Sequence, residues 1–165
     1  CITEFHFYDK IVSLKPQEIW NKEYEETDEV IGREQLEQAT QKWDNEKALI
    51  IRTLENLETK KQKQYSNTNP TYVSKEAMEY INELDVHHLM VDVPSVDREL
   101  DGGALVGHKI FWNYPKNPQT HKTISELVFV PNKLEDGTYL IQIQIMSIES
   151  DASPSKIMAH RIHEG

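Results

Sequence analysis

Two side chains of this 165-residue sequence, His108 and Glu126, are of the kinds that bind a divalent cation. An imidazole nitrogen together with a carboxylate oxygen suits Zn²⁺ and also Mn²⁺. Glu126 interrupts an apolar run of Ile124, Leu127 and Val128. A lone carboxylate there is costly if buried, unless it is paired or bound to a cation. His108 follows a loop with acids at Asp92, Asp97, Glu99 and Asp101 and the flexible pair Gly102-Gly103. An acid-rich loop at the end of a buried strand, closed by a histidine, is a common frame for a polar site, because loops at strand ends carry function more often than strand interiors do. The plainer alternatives are an ordinary surface loop with one packed histidine, and a surface glutamate on a one-sided strand. Two protein ligands also fall short of a catalytic zinc, which usually takes three and leaves a fourth position for water.

Other chemistry is less well supported. Of the seven histidines, His87 and His88 are neighbours in a predicted strand. They point to opposite faces, one packed and one exposed, and cannot share a metal without distortion. His121 lies in a Pro-rich loop, and His160 and His163 lie near the C-terminus; structural or solvent roles are expected for them. There is no His-x-x-x-His pair. Cys1 is terminal, Ser95 and Ser153 have no sequence-defined base or oxyanion turn, and no Gly-x-Ser-x-Gly occurs. A Gly-rich phosphate loop and a dinucleotide fingerprint are both absent.

The formal net charge of −10 disfavours nucleic acid, whose binding needs clustered Lys and Arg, and an anionic membrane surface. Lys60-Lys61-Gln62-Lys63 is the one basic cluster and reads as a solvated loop. No apolar run is long enough to span a bilayer, and no secretory signal is visible. The single Cys1 excludes an internal disulfide framework and a multi-cysteine zinc knuckle. It fits a reducing, cytoplasmic compartment. The length is that of one domain, 1–165, or part of a larger one, and can bury a sizeable core. The chain opens on Cys1-Ile2-Thr3-Glu4 rather than on Met, which we read as a fragment, a processed product or a chain whose earlier part is not included.

The elements that must position the two candidate ligands follow from periodicity. Phe5 to Leu14 reads as a strand, with Phe5, Phe7 and Ile11 on one face and Asp9 and Ser13 interrupting it. Residues 17–32 are acidic and weakly patterned, a solvated excursion. Arg33 to Trp43 fits a helix on Leu36, Ala39 and Trp43, stopped by Asp44-Asn45. Ala48 to Ile51 is a buried-strand candidate leading to Arg52-Thr53. Residues 55–70 are polar and end in the turn cluster Asn67-Thr68-Asn69-Pro70. Ser74 offers an N-cap for a helix through Leu84, and a strand at 87–93 follows, stopped by Pro94. Strand, helix, strand in that order predicts a parallel crossover and an α/β component. Further on, Asn113 to Lys122 is a Pro-rich loop, Ile124 to Val130 is apolar around Glu126, and Glu135-Asp136-Gly137 is a turn. Tyr139 to Ile148 is the clearest strand, with Tyr139, Ile141, Ile143 and Ile145 on one face. Asp151 to Pro154 is a loop, and Ile157 to Ile162 a last short strand.

Taken in order, Leu89-Met90-Val91-Asp92-Val93-Pro94-Ser95-Val96-Asp97, then His108, Ser125-Glu126-Leu127, Leu134 to Tyr139 and Asp151-Ala152-Ser153-Pro154 resemble the cyclase family of metal-dependent hydrolases, which includes kynurenine formamidase and isatin hydrolase. Ala48 to Thr53 resembles the family's central strand. Tyr65 to Pro70 and Gly102 to Pro115 resemble one bacterial branch. The resemblance covers most of the chain from Ala48 on. It implies an α/β, swivelling β/β/α fold around a mixed barrel-like sheet, here incomplete. It also implies a Zn or Mn cofactor and hydrolysis of an N-formyl or lactam-type amide, as in tryptophan catabolism. By resemblance His108 and Glu126 are metal ligands, with Asp92 and Asp97 organising the loop or orienting the ligands. The separation of His108 from Glu126 is longer than usual for the family, so His121 competes for the histidine's role. The family's N-terminal His-x-x-x-His-x-Asp cluster is not among these residues; Cys1 or Thr3-Glu4 would be its trailing edge. A catalytically inactive binding or assembly module on the same fold is the alternative. An incomplete domain would expose apolar sheet surface, so a homo-oligomer is expected.

Overall fold

Val12, Leu14, Leu49, Ile51, Leu89 and Val91 recur at every second position of three strands, and that alternation decides which face of a sheet meets the helices. The computed structural model describes residues 5–44, 46–148, 150 and 152–162. Cys1, Thr3, Glu4, Asn45, Asp151 and His163 lie outside the described residues. The larger sheet has six strands: β1 (His6–Leu14), β4 (Ala48–Thr53), β6 (His88–Val91), β7 (Thr123–Ser125), β8 (Gly137–Ile145) and β9 (Ser155–Arg161). Their order is β7-β6-β4-β1-β8-β9. The first four run parallel, and β8 and β9 add antiparallel. The result is a mixed α/β architecture with a curled half-barrel sheet, as expected.

One face of this sheet lies under α1 (Arg33–Ala39), α2 (Lys75–Glu83) and α3 (Val106–Phe111). Leu36, Ala77, Met78, Ile81 and Phe111 fill it, all without solvent exposure. Apart from Ala77, each of these side chains contributes about 1.5–3 kcal/mol by leaving water. The Ser74 hydroxyl accepts from the Ala77 amide at 3.2 Å and caps α2 as expected, worth about 1 kcal/mol. The other face packs Phe7, Ile11, Ile50 and Met90 against Tyr139, Ile141 and Ile143 of β8, with Val130 over them. The parallel crossover from β4 through α2 to β6 is present.

Residues 17–32 are not a solvated excursion. They form β2 (Gln17–Asn21) and β3 (Glu26–Ile31), an antiparallel hairpin whose second strand pairs with β5 (Tyr72–Val73). The acids misled because Asp28 is buried and paired with Arg98 rather than solvated. The helix at 33 ends at Ala39, not Trp43: the Thr40 hydroxyl bonds the Leu36 carbonyl, and Trp43 reaches the same core from a turn. β6 stops at Val91, ahead of Pro94, because Asp92 turns inward to bind the end of β4. Ile145 is 43% exposed and leaves the buried face of β8, and Phe5 is 41% exposed and leaves that of β1. Nor is Lys60 solvated: it is half-buried and bonds Thr53 and Asp92.

Candidate functional site

The loop after β6 carries four acids, and the fold gives each a distinct task. Asp92 accepts from the Thr53 amide at 2.9 Å, its hydroxyl at 2.9 Å and Lys60 at 2.9 Å, so it ties β4 to β6. Glu99 accepts from the Asn67 and Asn69 amides. Asp101 accepts from the amides of Gly103 and Leu105 and shapes the turn leading into α3. Only Asp97 meets the histidine: its Oδ2 lies 2.6 Å from His108 Nδ1.

That contact depends on a glycine. Asp97 Oδ1 accepts the Gly107 amide, and a Cβ at Gly107 would stand 2.9 Å from that oxygen. Oδ2 also takes the His108 amide at 3.3 Å. The carboxylate therefore closes the first turn of α3 and grips the ring that the turn presents. His108 lies inside this six-residue helix. The glycine directly before the histidine is the sequence signal that could have revealed the arrangement.

Glu126 comes from the opposite side. β7 ends at Ser125, and the chain then runs along the end of β6, with the Leu127 amide on the Val93 carbonyl at 3.0 Å. Glu126 Oε1 accepts the Val96 amide at 2.9 Å and stands 3.6 Å from His108 Nε2. The side chains of Asp97, His108 and Glu126 are 8%, 19% and 29% exposed. Burial pushes the Asp97 carboxyl up, but the His108 ring and the Gly107 amide outweigh it and hold it below its ordinary value. Burial pulls His108 down, but the Asp97 hydrogen bond and the Glu126 charge outweigh that and raise it. In the neutral ring, a hydrogen bond from Nδ1–H to an ionised Asp97 would select the tautomer whose Nε2 lone pair faces Glu126, while the raised pKa favours the ring charged, with Nε2–H toward Glu126.

The structure brings His108, Asp97 and Glu126 together and leaves the other candidates elsewhere. Asp92 touches Lys60 and Thr53 instead. The His121 ring packs edge-on against His87 at 4.7 Å between centroids. His88 is buried, bonded to Thr123 and stacked on Phe7, while His87 is half-buried beside Asp85. His160 is exposed on β9. Ser95 accepts the Asp97 amide in a turn contact.

A gap of 3.6 Å is too long for a hydrogen bond. Two ligands of one tetrahedral cation, each about 2.1 Å from it, lie about 3.4 Å apart. Nitrogen and carboxylate oxygen therefore fit as two ligands of a borderline divalent ion, and as two only. Among the described residues, no group of three or more His, Cys, Asp or Glu could hold a metal ion. Beside His108 a cavity of about 540 Å³ opens, walled by Leu105, Trp112, Tyr114 and Pro118.

Residues 6–98 match the Cyclase family model, more than half of the chain, from β1 into the acid loop. A solved structure described as a potential metal-dependent hydrolase with cyclase activity superposes with a TM-score of 0.63 at 12% identity, over 94% of this chain and 65% of that one. Another, a predicted metal-dependent hydrolase from Bacillus stearothermophilus, gives 0.60 at 13% identity, over 93% of this chain and 62% of that one. At such identities the likeness shows the fold. The chain spans less than two thirds of the length of either structure. No curated protein matches it. Among the described residues no helix is long and apolar enough to cross a membrane.

Proposed function

Because the chain belongs to the Cyclase family, we propose that it serves metal-dependent hydrolysis of an amide, N-formyl or lactam-type, resembling kynurenine formamidase. The observation that carries this reading is the line from Asp97 through the His108 ring to Glu126. His108 and Glu126 would hold zinc or manganese, and the remaining positions would fall to groups other than the described residues. When bound, such an ion acidifies water and polarises the amide carbonyl. Asp97 would orient the ring by accepting Nδ1–H and make Nε2 more basic, and the ion would take the place of the Nε2 proton. Orientation of this kind is what a ligating histidine needs from its carboxylate partner. The Val96 amide holds Glu126 Oε1 in place.

The protein, isolated as expressed, is expected to carry zinc or manganese by elemental analysis and to release formate from an arylformamide. His108→Ala is expected to lose both. Asp97→Asn keeps the shape but not the charge, and is expected to weaken metal binding by about 10–100-fold. Metal bound equally by wild type and His108→Ala would overturn the ligand assignment.

One observation favours a second reading, an inactive binding or assembly module: no three metal-holding groups converge among the described residues. Absence of metal from both proteins would leave that reading in place. Under either reading Leu100, Leu105, Val106 and Leu127, all exposed, suit contact with a second copy. Sizing is expected to give a dimer or larger, and a monomer would count against it.

A further inference from the structure

Among the described residues β2 is uncovered on three sides. It ends the small sheet and pairs with β3 alone, so the backbone donors and acceptors along its outer edge are open. Gln17, Glu18, Ile19 and Trp20 are all exposed and Asn21 is half-buried, so neither face of the strand is packed. Ile19 and Trp20 are large apolar side chains, 40% and 62% exposed. As neighbours in a strand they stand on opposite faces. The fold blunts its other edges. β7 has only three residues, and β9 carries Lys156, His160 and Arg161. At the far side of the small sheet, the Val73 amide of β5 bonds the Val96 carbonyl at 3.1 Å. Lys, Pro and very short strands are the usual devices against edge pairing. The five residues of β2 include neither Lys nor Pro.

We propose that β2 pairs edge to edge with β2 of a second copy of the chain, antiparallel about a two-fold axis at Ile19. Pro16 sets the register: it has no amide donor, so the seam begins at Gln17, and the middle residue of the strand is Ile19. Ile19 then faces Ile19 of the second copy, Gln17 faces Asn21, and Glu18 faces Trp20, each in both directions as a two-fold axis requires. Apolar meets apolar and amide meets amide, and the indole N–H of Trp20 can donate to the Glu18 carboxylate. Across the seam no two acids meet, although the chain carries a net charge of −10 and Glu29 already stands beside Glu18 within one copy. An axis one residue earlier would set Glu18 against Glu18, and like charges directly opposite are destabilising. An axis one residue later would run the strand against the hairpin turn at Lys22 and Glu23. This complementarity of the strand with itself selects a second copy as the occupant. The seam is independent of the hydrolase reading and of the leucine contact.

Disulfide trapping reads the register directly. Residues opposite each other in an antiparallel pair have Cα atoms about 4.5–5.5 Å apart, within the reach of a disulfide. Cys1→Ser removes the chain's one cysteine. In that background Ile19→Cys is expected to cross-link to a dimer under mild oxidation. Glu18→Cys and Trp20→Cys each stand about 8 Å from their own counterpart, two residues along the strand, and should not cross-link alone. Mixed together, those two should cross-link to each other. All three side chains are exposed, so the variants keep the core. Without oxidant, the dimer fraction of wild type in sedimentation should rise with protein concentration. Ile19→Asp sets two carboxylates face to face and is expected to weaken the association about tenfold. Ile19→Cys remaining monomeric under oxidation would overturn the proposal, as would equal cross-linking at all three positions. A dimer of unchanged affinity in Ile19→Asp would also overturn it, by placing the contact on another surface. None of these outcomes bears on metal content or amide hydrolysis, so failure of the seam is distinct from failure of the hydrolase reading.

Discussion

Asp28→Ala is expected to lower the unfolding free energy by about 3–5 kcal/mol, the usual result of removing one partner from a buried ion pair. Asp28 has no solvent exposure, although it lies on β3 of an otherwise acidic hairpin. It accepts from Asn21 at 2.7 Å, Asn69 at 2.8 Å, the Tyr72 hydroxyl at 2.8 Å and Arg98 Nε at 3.2 Å. Arg98 in turn bonds the Leu100 carbonyl at 2.7 Å and Glu26, and lies 3.9 Å from the Tyr24 ring centre. Without Asp28, a largely buried guanidinium keeps only part of its compensation. Asp28→Asn with Arg98→Met removes both charges and is expected to lie closer to wild type than either single change. Burial pushes the Asp28 carboxyl up, but the bonds from Asn69, Asn21, Tyr72 and Arg98 outweigh it and hold it below its ordinary value. A depressed carboxylate gives stability that is present above its unfolded pKa and lost as pH falls through the folded one. The loss in Asp28→Ala should therefore shrink on acidification. Urea titration reads all of this, and a midpoint equal to wild type at neutral pH would remove the pair from the account. The pair matters to the site because Arg98 follows Asp97 directly. Loosening Arg98 frees the loop that aims His108, so the metal affinity proposed for that centre should fall together with stability.

What could be read in advance tracks the locality of the physics. β4, α2 and β6 announce themselves because apolar runs and a serine cap are local signals, whereas the end of β6 is set by Asp92 rather than by Pro94. β8 is plain for the same reason: Tyr139, Ile141 and Ile143 alternate along a strand buried on one face. The hairpin at 17–31 was hidden because its decisive residue is an acid whose partner lies seventy positions away. Composition treats Asp28 as solvated, and only the tertiary contact with Arg98 says otherwise. The site divides in the same way. His108 and Glu126 could be named from residue type and setting, and their approach to 3.6 Å is set by the chain crossing the end of β6. Asp97 could be named as a loop acid but not told apart from Asp92, Glu99 and Asp101. The distinction comes from Gly107, whose missing side chain lets one carboxylate reach α3. Lys60 was misread for the mirror-image reason, a cation in a basic cluster that is drawn inward by Asp92.

Asp9→Val is expected to stabilise the protein by about 1–3 kcal/mol, the scale of a buried polar group left without a hydrogen bond. Asp9 sits mid-strand in β1, between Ala48 of β4 and Tyr139 of β8, on the face of Phe7 and Ile11. It has no solvent exposure, and among the described residues neither carboxyl oxygen has a partner within hydrogen-bond geometry. Burial pushes its pKa well above the ordinary carboxylate value; the Lys10 amide opposes this, and the Glu46 charge adds to it by less. Valine suits a central strand and removes the polar atoms, and its shape is close to that of aspartate. The pH dependence separates this effect from simple repacking. For a raised carboxyl the native state holds a proton that the unfolded chain has released. Its contribution is complete below the unfolded pKa, near 3.8, and is lost as pH rises toward the folded one. His88, on the same face, has the opposite sign. Burial, then the charges of His87 and His121, lower it to about 4, so its contribution is lost as pH falls from its ordinary value toward 4. Wild-type stability mixes the two slopes, but the difference between wild type and Asp9→Asn contains only the first. That difference should grow in favour of the variant from about pH 4 upward, because asparagine cannot ionise. A difference independent of pH would mean that Asp9 ionises in the fold as it does in water. A fall in stability for Asp9→Val would mean that the carboxyl has a partner after all.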